Sequence, residues 1–513
     1  MQRHASIIRR GIHSISTHNP FHCHNRHYQQ QLQQYLYLYS QRRSLLALAR
    51  RSHIQHYSTS SDHQPRTHFA LPFLTQPEEE EQDLEERKKY PRKTASDISH
   101  LTQPPTRTNM LVRDFIDDSL YNPNYGYFSK QAVIFSPEID FDFNEMRDHL
   151  EFMNILARMY RDIEGDADEV DEIARQVWHT PTELFKPWYG YAIAKYMVSE
   201  YKLNLYPHKD LIIYEMGAGN GTLMMNILDY IQQYEPSVYK RTQYNIIEIS
   251  GKLAERQSER QDVRDLKDQH QCVKIINKSI FDWDTYVPDQ CFFLGMEVID
   301  NFAHDLIRYD IETLKPYQGL VSIDSKGDYT ELYEPVGKDA LINRYLTTRK
   351  QTRYRSPVLA NSFWYKLLTS LPLAPNLTAP EFIPTKLFLF METLKEYFPQ
   401  HRLVLSDFSS LPDAVPGVDA PVVQTRYKGT MVPCSTYMVQ PGWFDIFFPT
   451  NWELFRDMYL LVCRGSRAGS DRNVKVMTHR EFCERYGEVE RTTTRSGENP
   501  MLMYYENMKM LVT

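Results

Sequence analysis

The chain of 513 residues lacks several features that would mark particular classes of protein. No apolar run approaches the roughly 18 residues of a membrane-spanning helix, so we predict no membrane span. The six cysteines are scattered and form no C-x-x-C pair, which favours a reducing compartment and supports neither a disulfide framework nor a zinc site. The histidines include no H-E-x-x-H motif, and we expect no metal. No basic stripe with interleaved aromatic residues occurs in the body of the chain, which argues against a nucleic-acid partner.

Acidic residues are absent from positions 1–61, where arginine, histidine, serine and glutamine are abundant. One helical face of this segment is apolar and consists of Ala5, Ile8, Ile12 and Ile15. An acid-free amphipathic start of this kind is typical of a mitochondrial presequence. We therefore predict a presequence over 1–61 and import into the mitochondrial matrix. A basic tail without a targeting role is the alternative.

Beyond the first acid, Asp62, the composition divides the chain into further parts. Residues 62–106 are rich in proline and carry an acidic run, which predicts a disordered acidic linker. Apolar runs predict strands three to five of a sheet at Val273 to Asn277, Cys291 to Met296 and Leu306 to Tyr309, and a late strand at His401 to Phe408. The alternation of strand and helix patterns predicts an α/β fold with a doubly wound sheet. The expected parts are an N-terminal helical region at 107–205 with an acidic helical pair inserted at 137–175, a Rossmann-like core at 206–320, an insert at 321–400 that covers a pocket or binds a partner, and the C-terminal part of the sheet with a tail at 401–513.

The most informative stretch is 211–222, where an apolar run ends in Glu215 and leads into alternating glycines, followed by Thr222. The glycines are Gly217, Gly219 and Gly221. The pattern predicts a strand, a tight turn and a helix that carries Leu223, Ile227, Ile231 and Tyr234 on one face. Glycines let a ligand approach the backbone, and the N–H groups at the helix start face that ligand. A dinucleotide-binding fingerprint would space its last two glycines by three residues, whereas this spacing is typical of many S-adenosylmethionine-dependent methyltransferases.

A second apolar strand, 244–250, carries Glu248 near its end. It completes a β-α-β unit with the first strand, so the two strands should be parallel neighbours. A carboxylate at the end of the second strand can accept hydrogen bonds from both hydroxyls of a ribose. The alternative is a solvated charge at a strand end.

A third group of polar residues follows the apolar strand Cys291–Met296. It contains Glu297, Asp300, His304 and Asp305. Because ligands of open α/β sheets bind outside the carboxyl ends of the strands, we expect these residues on the same rim as the glycine turn. Two carboxylates there could orient a guanidinium group, or one could act as a general base. A charged loop that caps a helix is the alternative.

Taken together, these motifs resemble the MidA-like family of mitochondrial complex I assembly methyltransferases over roughly residues 107–460. The resemblance rests on the glycine turn 215–223, on Tyr244 to Ser250 with Leu253 and Gln257, and on the patch 126–128, which is similar to the family's G-Y-Y. Residues 295–303 resemble the family's G-N-E-F-F-D-A-L-P, with Met296 in place of the Asn and Ala303 in place of the Pro.

The resemblance implies a Rossmann-like class I methyltransferase fold with a helical N-terminal part and inserted segments. It also implies S-adenosyl-L-methionine as cofactor and a complex I subunit, methylated on arginine, as protein substrate. The methionine part of S-adenosyl-L-methionine would lie at the glycine turn, with Thr222 and Glu215 nearby. Glu248 would bind the ribose, Asp282 or Trp283 would border the adenine, and the acceptor would lie beside Glu297 and Asp300.

Two functional hypotheses remain open. The first is a mitochondrial methyltransferase that acts on a protein. The second is a non-catalytic assembly or scaffold protein that keeps the fold, for which the altered Met296 and the acidic insert speak. A dehydrogenase is disfavoured by the glycine spacing.

Overall fold

The computed structural model describes residues 77–130, 132–137, 139–164, 176–249, 270–337, 339–360, 376–412, 414–427, 430–463 and 474–513. The predicted presequence, the first part of the predicted linker and the segment 165–175 lie outside these residues. None of the helices in the described ranges is long and apolar enough to cross a membrane.

The N-terminal part of the described chain is mainly helical. Its elements are α1 (Pro77–Arg87), α2 (Ala95–Ile98), β1 (Thr108–Leu111), α3 (Val112–Tyr121), α4 (Tyr127–Lys130), β2 (Ala132–Ile134), α5 (His149–Glu164), β3 (Gln176–Trp178), α6 (Pro181–Leu184) and α7 (Trp188–Asn204). Strands β2 and β3 form a short parallel pair.

The middle of the chain alternates strands and helices. Its elements are β4 (Leu211–Met216), α8 (Thr222–Tyr234), α9 (Pro236–Tyr239), β5 (Thr242–Glu248), β6 (Val273–Asn277), β7 (Cys291–Met296), β8 (Asp305–Tyr309), β9 (Pro316–Ile323), β10 (Tyr329–Pro335), α10 (Ala340–Arg349), α11 (Pro357–Ala360) and β11 (Glu381–Ile383).

The C-terminal part completes the structure. Its elements are α12 (Thr385–Tyr397), β12 (His401–Phe408), β13 (Val422–Tyr427), β14 (Thr430–Cys434), β15 (Asp445–Phe447), α13 (Trp452–Val462), β16 (Lys475–Thr478), α14 (His479–Tyr486), α15 (Pro500–Met503) and β17 (Met508–Val512). Short 3₁₀ turns lie at Phe143–Glu145, Ile280–Asp282 and Val489–Thr492.

The central sheet has seven strands in the order β16-β17-β12-β7-β4-β5-β6. The strands from β12 to β6 are parallel, and β17 is antiparallel to both of its neighbours. The parallel part places the carboxyl ends of β4, β5, β7 and β12 on one rim. An open, mostly parallel sheet with one inserted antiparallel strand near its edge confirms the predicted Rossmann-like class I methyltransferase fold.

Helices cover both faces of this sheet, so its strands bury side chains on either side. On one face, α7, α8 and α14 pack on residues such as Ile213 and Tyr244. On the other face, α10, α12 and α13 pack on residues such as Met216 and Ile247. The alternation along β4 and β5 puts Glu215 and Glu248 on the face that carries Ile213 and Tyr244.

A second sheet of five strands is built from β1, β9, β8 and β11, with β10 on the other edge of β9. Its pairs are antiparallel, and most of its strands come from the insert between β7 and β12. The sequence predicted Leu306–Tyr309 as the fifth strand of the Rossmann-like sheet, and this was wrong. The residues do form a strand, β8, but it pairs with β9 and β11, and β12 follows β7 in the central sheet.

One further expectation differs from the structure. Within the predicted disordered linker, residues 77–106 contain α1 and α2, and Arg87 is bonded to Asp83 at 2.7 Å and to Asp324 at 2.9 Å. The helical pair predicted at 137–175 stays a prediction, because the described part of this segment contains α5 and residues 165–175 lie outside the described residues. Tyr234, predicted on the same face of α8 as Leu223, is 50% exposed in the last turn of the helix.

Candidate active site

The glycine turn joins β4 to α8 at the carboxyl end of the central strand. Gly217, Gly219 and Gly221 have φ values of 69°, 54° and 82°, in the left-handed region that other residues avoid. A Cβ at position 219 would lie 2.5 Å from Cδ1 of Ile134, and one at 217 would lie 3.0 Å from Cγ1 of Val298. The sequence therefore needs glycine here both for the bend and for the close approach of these side chains.

The side chains that follow the turn are held by a residue that the sequence analysis did not identify, Glu183 of α6. Its Oε1 accepts hydrogen bonds from Nδ2 of Asn220 at 2.9 Å and from Oγ1 of Thr222 at 2.8 Å. Gly221 is the N-cap of α8 and offers no side chain to its first turn. Because the hydroxyl of Thr222 is engaged by Glu183, we expect Thr222 to reach a ligand through its backbone N–H.

Glu215 and Glu248 lie on adjacent parallel strands beside this turn. The N–H of Gly217 donates to the carbonyl of Ile247 at 3.1 Å, so Glu248 comes directly beside the start of the turn. Both carboxyl groups are buried, and Oε2 of Glu215 accepts from the hydroxyl of Tyr244 at 2.7 Å. Burial raises the pKa of Glu215 to about 7, and the charge of Glu248 adds to the rise while the Tyr244 bond opposes it. The position of Glu248 beside the turn is consistent with binding of a ribose, and this role stays a prediction.

Glu297 follows β7 on the same rim and has a strained backbone. Its φ is 56°, which costs a residue with a Cβ roughly 1–2 kcal/mol. Its N–H donates to the carbonyl of Ser406 at 2.8 Å, which fixes the bend against β12. Its Oε1 is buried without a hydrogen-bond partner among the described residues. Burial, and then the charges of Asp407 and Glu183, hold the pKa of Glu297 well above its usual range.

Asp300 lies in the same loop and belongs to a cluster with Asp407 and Asp445. Asp407 accepts backbone hydrogen bonds from Ile299 at 2.9 Å and from Asp300 at 3.1 Å through Oδ2. Burial raises the pKa of Asp407 to about 7, against the effect of these bonds. Burial and the charge of Asp407 hold the pKa of Asp300 well above its usual range. We assign the charge of this pair to Asp407, because backbone N–H groups stabilise its ionised form, and the proton to Asp300.

The two remaining residues of the predicted polar group, His304 and Asp305, are held by contacts within the packed protein. His304 is buried, its ring lies 3.7 Å from that of Phe448 in a stacked pair, and burial lowers its pKa to about 3. It is therefore neutral at physiological pH. Asp305 is paired with Arg113 at 2.8 Å and accepts from the hydroxyl of Thr385 at 2.6 Å.

The two residues predicted to border an adenine ring have different surroundings in the structure. Asp282 ends the 3₁₀ turn after β6 and is exposed, at the edge of the rim beyond β5. Trp283 is buried and packs against Tyr214 and Phe398, with ring centroids 6.1 Å and 5.1 Å away. Since Tyr214 faces the opposite side of the sheet from Glu215, Trp283 belongs to the core, and Asp282 alone remains a candidate.

A cleft of about 760 Å³ lies elsewhere, along the second half of α12 and beside α10 and α13. Because α12 leads directly to the start of β12, this cleft lies near the amino ends of the strands, opposite the glycine turn. Arg344 and Glu392 in its wall are paired with each other at 2.9 Å. Its size alone does not make it the site, since the unpartnered buried carboxyl groups of Glu297 and Asp300 are at the other end of the strands.

Two residues of the rim escaped the sequence analysis, Glu183 and Asp407. Glu183 stands on a helix of one turn, some 35 positions before the glycines whose turn it holds. Asp407 lies in a strand that was predicted correctly, but nothing in the sequence indicates that it accepts the N–H groups of the loop after β7. For Asp407 the available signal was an acid within an apolar strand, whereas the sequence around Glu183 gave no such signal.

The chain matches one family model and resembles proteins of known sequence or structure. The family model, described as "Putative S-adenosyl-L-methionine-dependent methyltransferase", matches residues 192–467. The mitochondrial protein arginine methyltransferase NDUFAF7 homolog of Schizosaccharomyces pombe is 26% identical over 343 residues, which are 62% of this chain and 67% of that protein. A Burkholderia thailandensis protein crystallised with S-adenosyl-homocysteine is 13% identical, with a TM-score of 0.49, over 86% of this chain and 94% of that one.

Proposed function

This chain belongs to the family of S-adenosyl-L-methionine-dependent methyltransferases whose model it matches, and on that premise we propose that it methylates arginine side chains of a protein in the mitochondrial matrix. We further propose that the substrate is a subunit of respiratory complex I. Support comes from the name of the Schizosaccharomyces pombe relative, a mitochondrial protein arginine methyltransferase, and from the acid-free composition of residues 1–61.

The residues at the glycine turn fit the cofactor of this family. Gly217, Gly219 and Gly221 form a left-handed bend, and the side chains of Val298 and Ile134 lie where a Cβ at 217 or 219 would be. A ligand would therefore meet the turn through the backbone N–H groups at the start of α8. The N-terminus of α8 lacks a side-chain cap and can bind a carboxylate of the ligand. Glu248 is buried at the end of β5, where a carboxylate can accept from ribose hydroxyls. We therefore assign cofactor binding to Glu215, Gly217, Gly219, Gly221, Thr222 and Glu248, with Asp282 at the edge.

The observation that carries the proposal is a set of buried carboxyl groups with no cation beside them. Among the ion pairs of the described residues, none includes Glu297, Asp300, Asp407 or Asp445, although burial raises the pKa of each. Buried charges are normally paired, and an unpaired carboxyl group costs free energy. A rim built in this way is suited to a cationic acceptor, and a guanidinium group offers the planar set of donors that carboxylates bind best.

The residues of the chain would act mainly by positioning. The cofactor, when bound, supplies a methyl group on a sulfonium centre. Glu297 would hold the acceptor guanidinium behind that methyl group, where alignment accounts for most of the rate enhancement. Asp407 would keep the loop 297–300 in place through its bonds to the backbone of Ile299 and Asp300. A raised pKa also allows Glu297 to accept the proton that leaves the nitrogen.

Calorimetry with the full chain tests the cofactor, and methyl transfer to arginine-containing peptides tests the acceptor. We expect S-adenosylmethionine and its demethylated product to bind, and label from the methyl group to appear on arginine. Absence of binding would contradict the cofactor assignment, whereas binding with label on lysine or no transfer would contradict the arginine proposal.

Mass spectrometry of mitochondria from a deletion strain tests the substrate. We expect a methyl mark on an arginine of a complex I subunit to disappear and to return with the full-length gene. A fluorescent fusion of the full chain, compared with one that lacks residues 1–61, tests the location. A mark that persists would remove the complex I assignment, and a cytosolic full-length fusion would remove the matrix assignment.

A further inference from the structure

Glu183 connects the glycine turn with the acidic loop after β7. It is only 2% exposed, although it stands on a one-turn helix. One of its carboxylate oxygens, Oε1, is used in full by Asn220 and Thr222. Substitution at this residue would therefore disturb the turn, but the turn uses only half of the carboxylate.

The second oxygen of Glu183 forms an ion pair with Lys186 but no hydrogen bond among the described residues. Oε2 is buried and has no hydrogen-bond partner among the described residues. Nζ of Lys186 is 3.9 Å away, beyond hydrogen-bond distance, and donates instead to the carbonyl of Pro137 at 2.7 Å and to Oγ of Ser136 at 3.2 Å. A buried carboxylate oxygen left in this way costs roughly 1–3 kcal/mol. Such a cost is retained where a ligand completes the site.

The electrostatic neighbour of Glu183 is the candidate acceptor residue. The turn that Glu183 holds meets the loop of Glu297, because the would-be Cβ of Gly217 lies 3.0 Å from Cγ1 of Val298, the residue after Glu297. The charge of Glu183 contributes to the raised pKa of Glu297. Oε1 of Glu297 is also buried and unpartnered among the described residues.

A third group, which is not an acid, lies in the same region. The hydroxyl of Tyr505 is buried and has no hydrogen-bond partner among the described residues, and the residue is 5% exposed. Its ring packs on that of Phe185, two residues after Glu183, with the centroids 6.1 Å apart. Burial raises the pKa of Tyr505, and the charge of Glu297 adds to the rise. Two carboxylate oxygens and one hydroxyl oxygen of this region are thus buried without hydrogen bonds among the described residues, and a guanidinium group has enough N–H donors to satisfy all three.

We propose that Glu183 is the second acceptor-binding carboxylate of this enzyme, which together with Glu297 and Tyr505 holds the guanidinium of the substrate arginine while its other oxygen holds the cofactor turn. This proposal rests on the proposed function. A nitrogen of the guanidinium forms the new bond to the methyl carbon, the bond from that carbon to sulfur breaks with its electron pair on sulfur, and the proton lost from the nitrogen passes to Glu297. Because Glu183 touches both halves of the site, cofactor binding and acceptor binding are coupled through one side chain.

The substitution Glu183→Gln separates the two roles of this side chain. Its amide oxygen can still accept from Asn220 and Thr222, but its amide nitrogen replaces the oxygen that faces the guanidinium. With the full chain, we expect cofactor affinity within about threefold of wild type, because the neutral hydrogen bonds to the turn remain. We expect binding of acetyl-arginine amide, measured by calorimetry with S-adenosyl-homocysteine present, to weaken about 10- to 100-fold through loss of a charge-assisted pair.

The matched control is Asp140→Asn. Asp140 stands 3.9 Å from the same Lys186 but is 58% exposed, so its substitution removes a nearby charge without touching the site. We expect both affinities to remain as in wild type. If Glu183→Gln weakens cofactor binding as much as guanidinium binding, or leaves guanidinium binding unchanged, Glu183 is only an anchor of the turn and the proposal is overturned.

Tyr505→Phe provides a second variant that leaves the turn untouched, should Glu183→Gln fail to fold. We expect roughly a fivefold loss of guanidinium affinity and an unchanged cofactor affinity, whereas unchanged affinities for both would overturn the shared site. Failure of the underlying function is distinguishable: a wild-type protein that binds cofactor but neither binds acetyl-arginine amide nor methylates arginine contradicts the arginine function itself.

Discussion

The two halves of the rim differ in how far the protein satisfies its own polar groups. At the ends of β4 and β5, Glu215 is bonded to Tyr244, and Thr222 is bonded to Glu183. At the end of β7, Oε1 of Glu297 and Oδ1 of Asp300 are buried without partners among the described residues. In the proposed cofactor half, the side chains of Glu215 and Thr222 are thus bonded within the protein, whereas the proposed acceptor half leaves two carboxyl oxygens available to a group from outside.

This difference has a physical reason in what each half must recognise. In the proposed site, the cofactor would be bound mainly by backbone geometry and a carboxylate at a strand end, and both are set by local sequence. A cationic acceptor needs negative groups that are not already neutralised by the protein's own cations. The unpaired carboxyl groups cost stability in the empty protein, and binding of the proposed acceptor would recover this cost.

The largest effect should follow from a side chain in the glycine turn. We expect Gly219→Val to abolish cofactor binding, with affinity at least 100-fold lower, because a branched side chain at φ 54° is strained by more than about 1–2 kcal/mol and also displaces Ile134. Calorimetry and thermal unfolding measure both consequences.

The matched control for that variant is Gly327→Val. Gly327 has a φ of 88°, but nothing lies within 4 Å of its would-be Cβ. It should lower the stability through backbone strain while leaving cofactor affinity unchanged. If Gly219→Val binds the cofactor like wild type, the turn is not the cofactor site and the comparison between the two halves fails.

The next largest effect should come from Glu248. We expect Glu248→Ala to weaken cofactor binding about 10- to 100-fold through loss of two charge-assisted bonds to the ribose. The exposed Asp284, which follows the neighbouring strand and is paired with Lys278, provides the control Asp284→Ala, and this should leave the affinity unchanged. Calorimetry measures the cofactor affinities. Equal affinities for wild type and Glu248→Ala would contradict the assignment of ribose binding to Glu248.

The acceptor half should be visible in the pH dependence of stability. Between the ordinary pKa of aspartate, about 4, and pH 7, the unfolded chain has lost the proton that folded Asp300 keeps. Stability therefore falls as the pH rises through this window, by at most about 1.4 kcal/mol per unit for each such group.

Asp300→Asn removes the titrating carboxyl group, so the free energy of unfolding should fall less steeply as the pH rises. Chemical denaturation at pH 5, 6 and 7 measures this slope. The control is Asp284→Asn, since the bond with Lys278 lowers the pKa of Asp284 and the group is ionised throughout the window. An unchanged slope for Asp300→Asn would mean that Asp300 is ionised in the folded protein. The proposed acceptor half would then not carry the buried protonated carboxyl group that distinguishes it from the proposed cofactor half.

The sequence predicted the strands and the glycine turn of the central sheet better than the insert that follows β7. Strands β6, β7 and β12 were predicted with the bounds that they have, because buried parallel strands are continuous apolar runs. The glycine turn is a local pattern of a few residues. By contrast, β8 was assigned to the wrong sheet, since its partners β9 and β11 are chosen by tertiary pairing.

The same limit applies to the side chains of the rim. Glu297 and Asp300 could be named because they follow a strand, but their lack of partners is a property of the packed structure. Glu183 and Asp407 were missed because each acts on a segment that is distant in sequence. Patterns of short range indicate where a ligand is expected, and long-range contacts decide which polar groups of the protein remain without partners.

The smallest effect concerns the bond that joins the two halves. Thr222→Val keeps the shape of the side chain but removes the hydroxyl that donates to Glu183 at 2.8 Å. We expect a loss of about 1 kcal/mol, or roughly fivefold in cofactor affinity, because one neutral donor to a carboxylate disappears while Asn220 still holds the same oxygen. Thr222→Ser retains the hydroxyl and should bind like wild type. In the background of Glu183→Gln, Thr222→Val should have less effect, since the weakened acceptor already contributes less. Additive losses in the double variant would show that Thr222 acts on the cofactor independently of Glu183, and the two halves would then be separate sites.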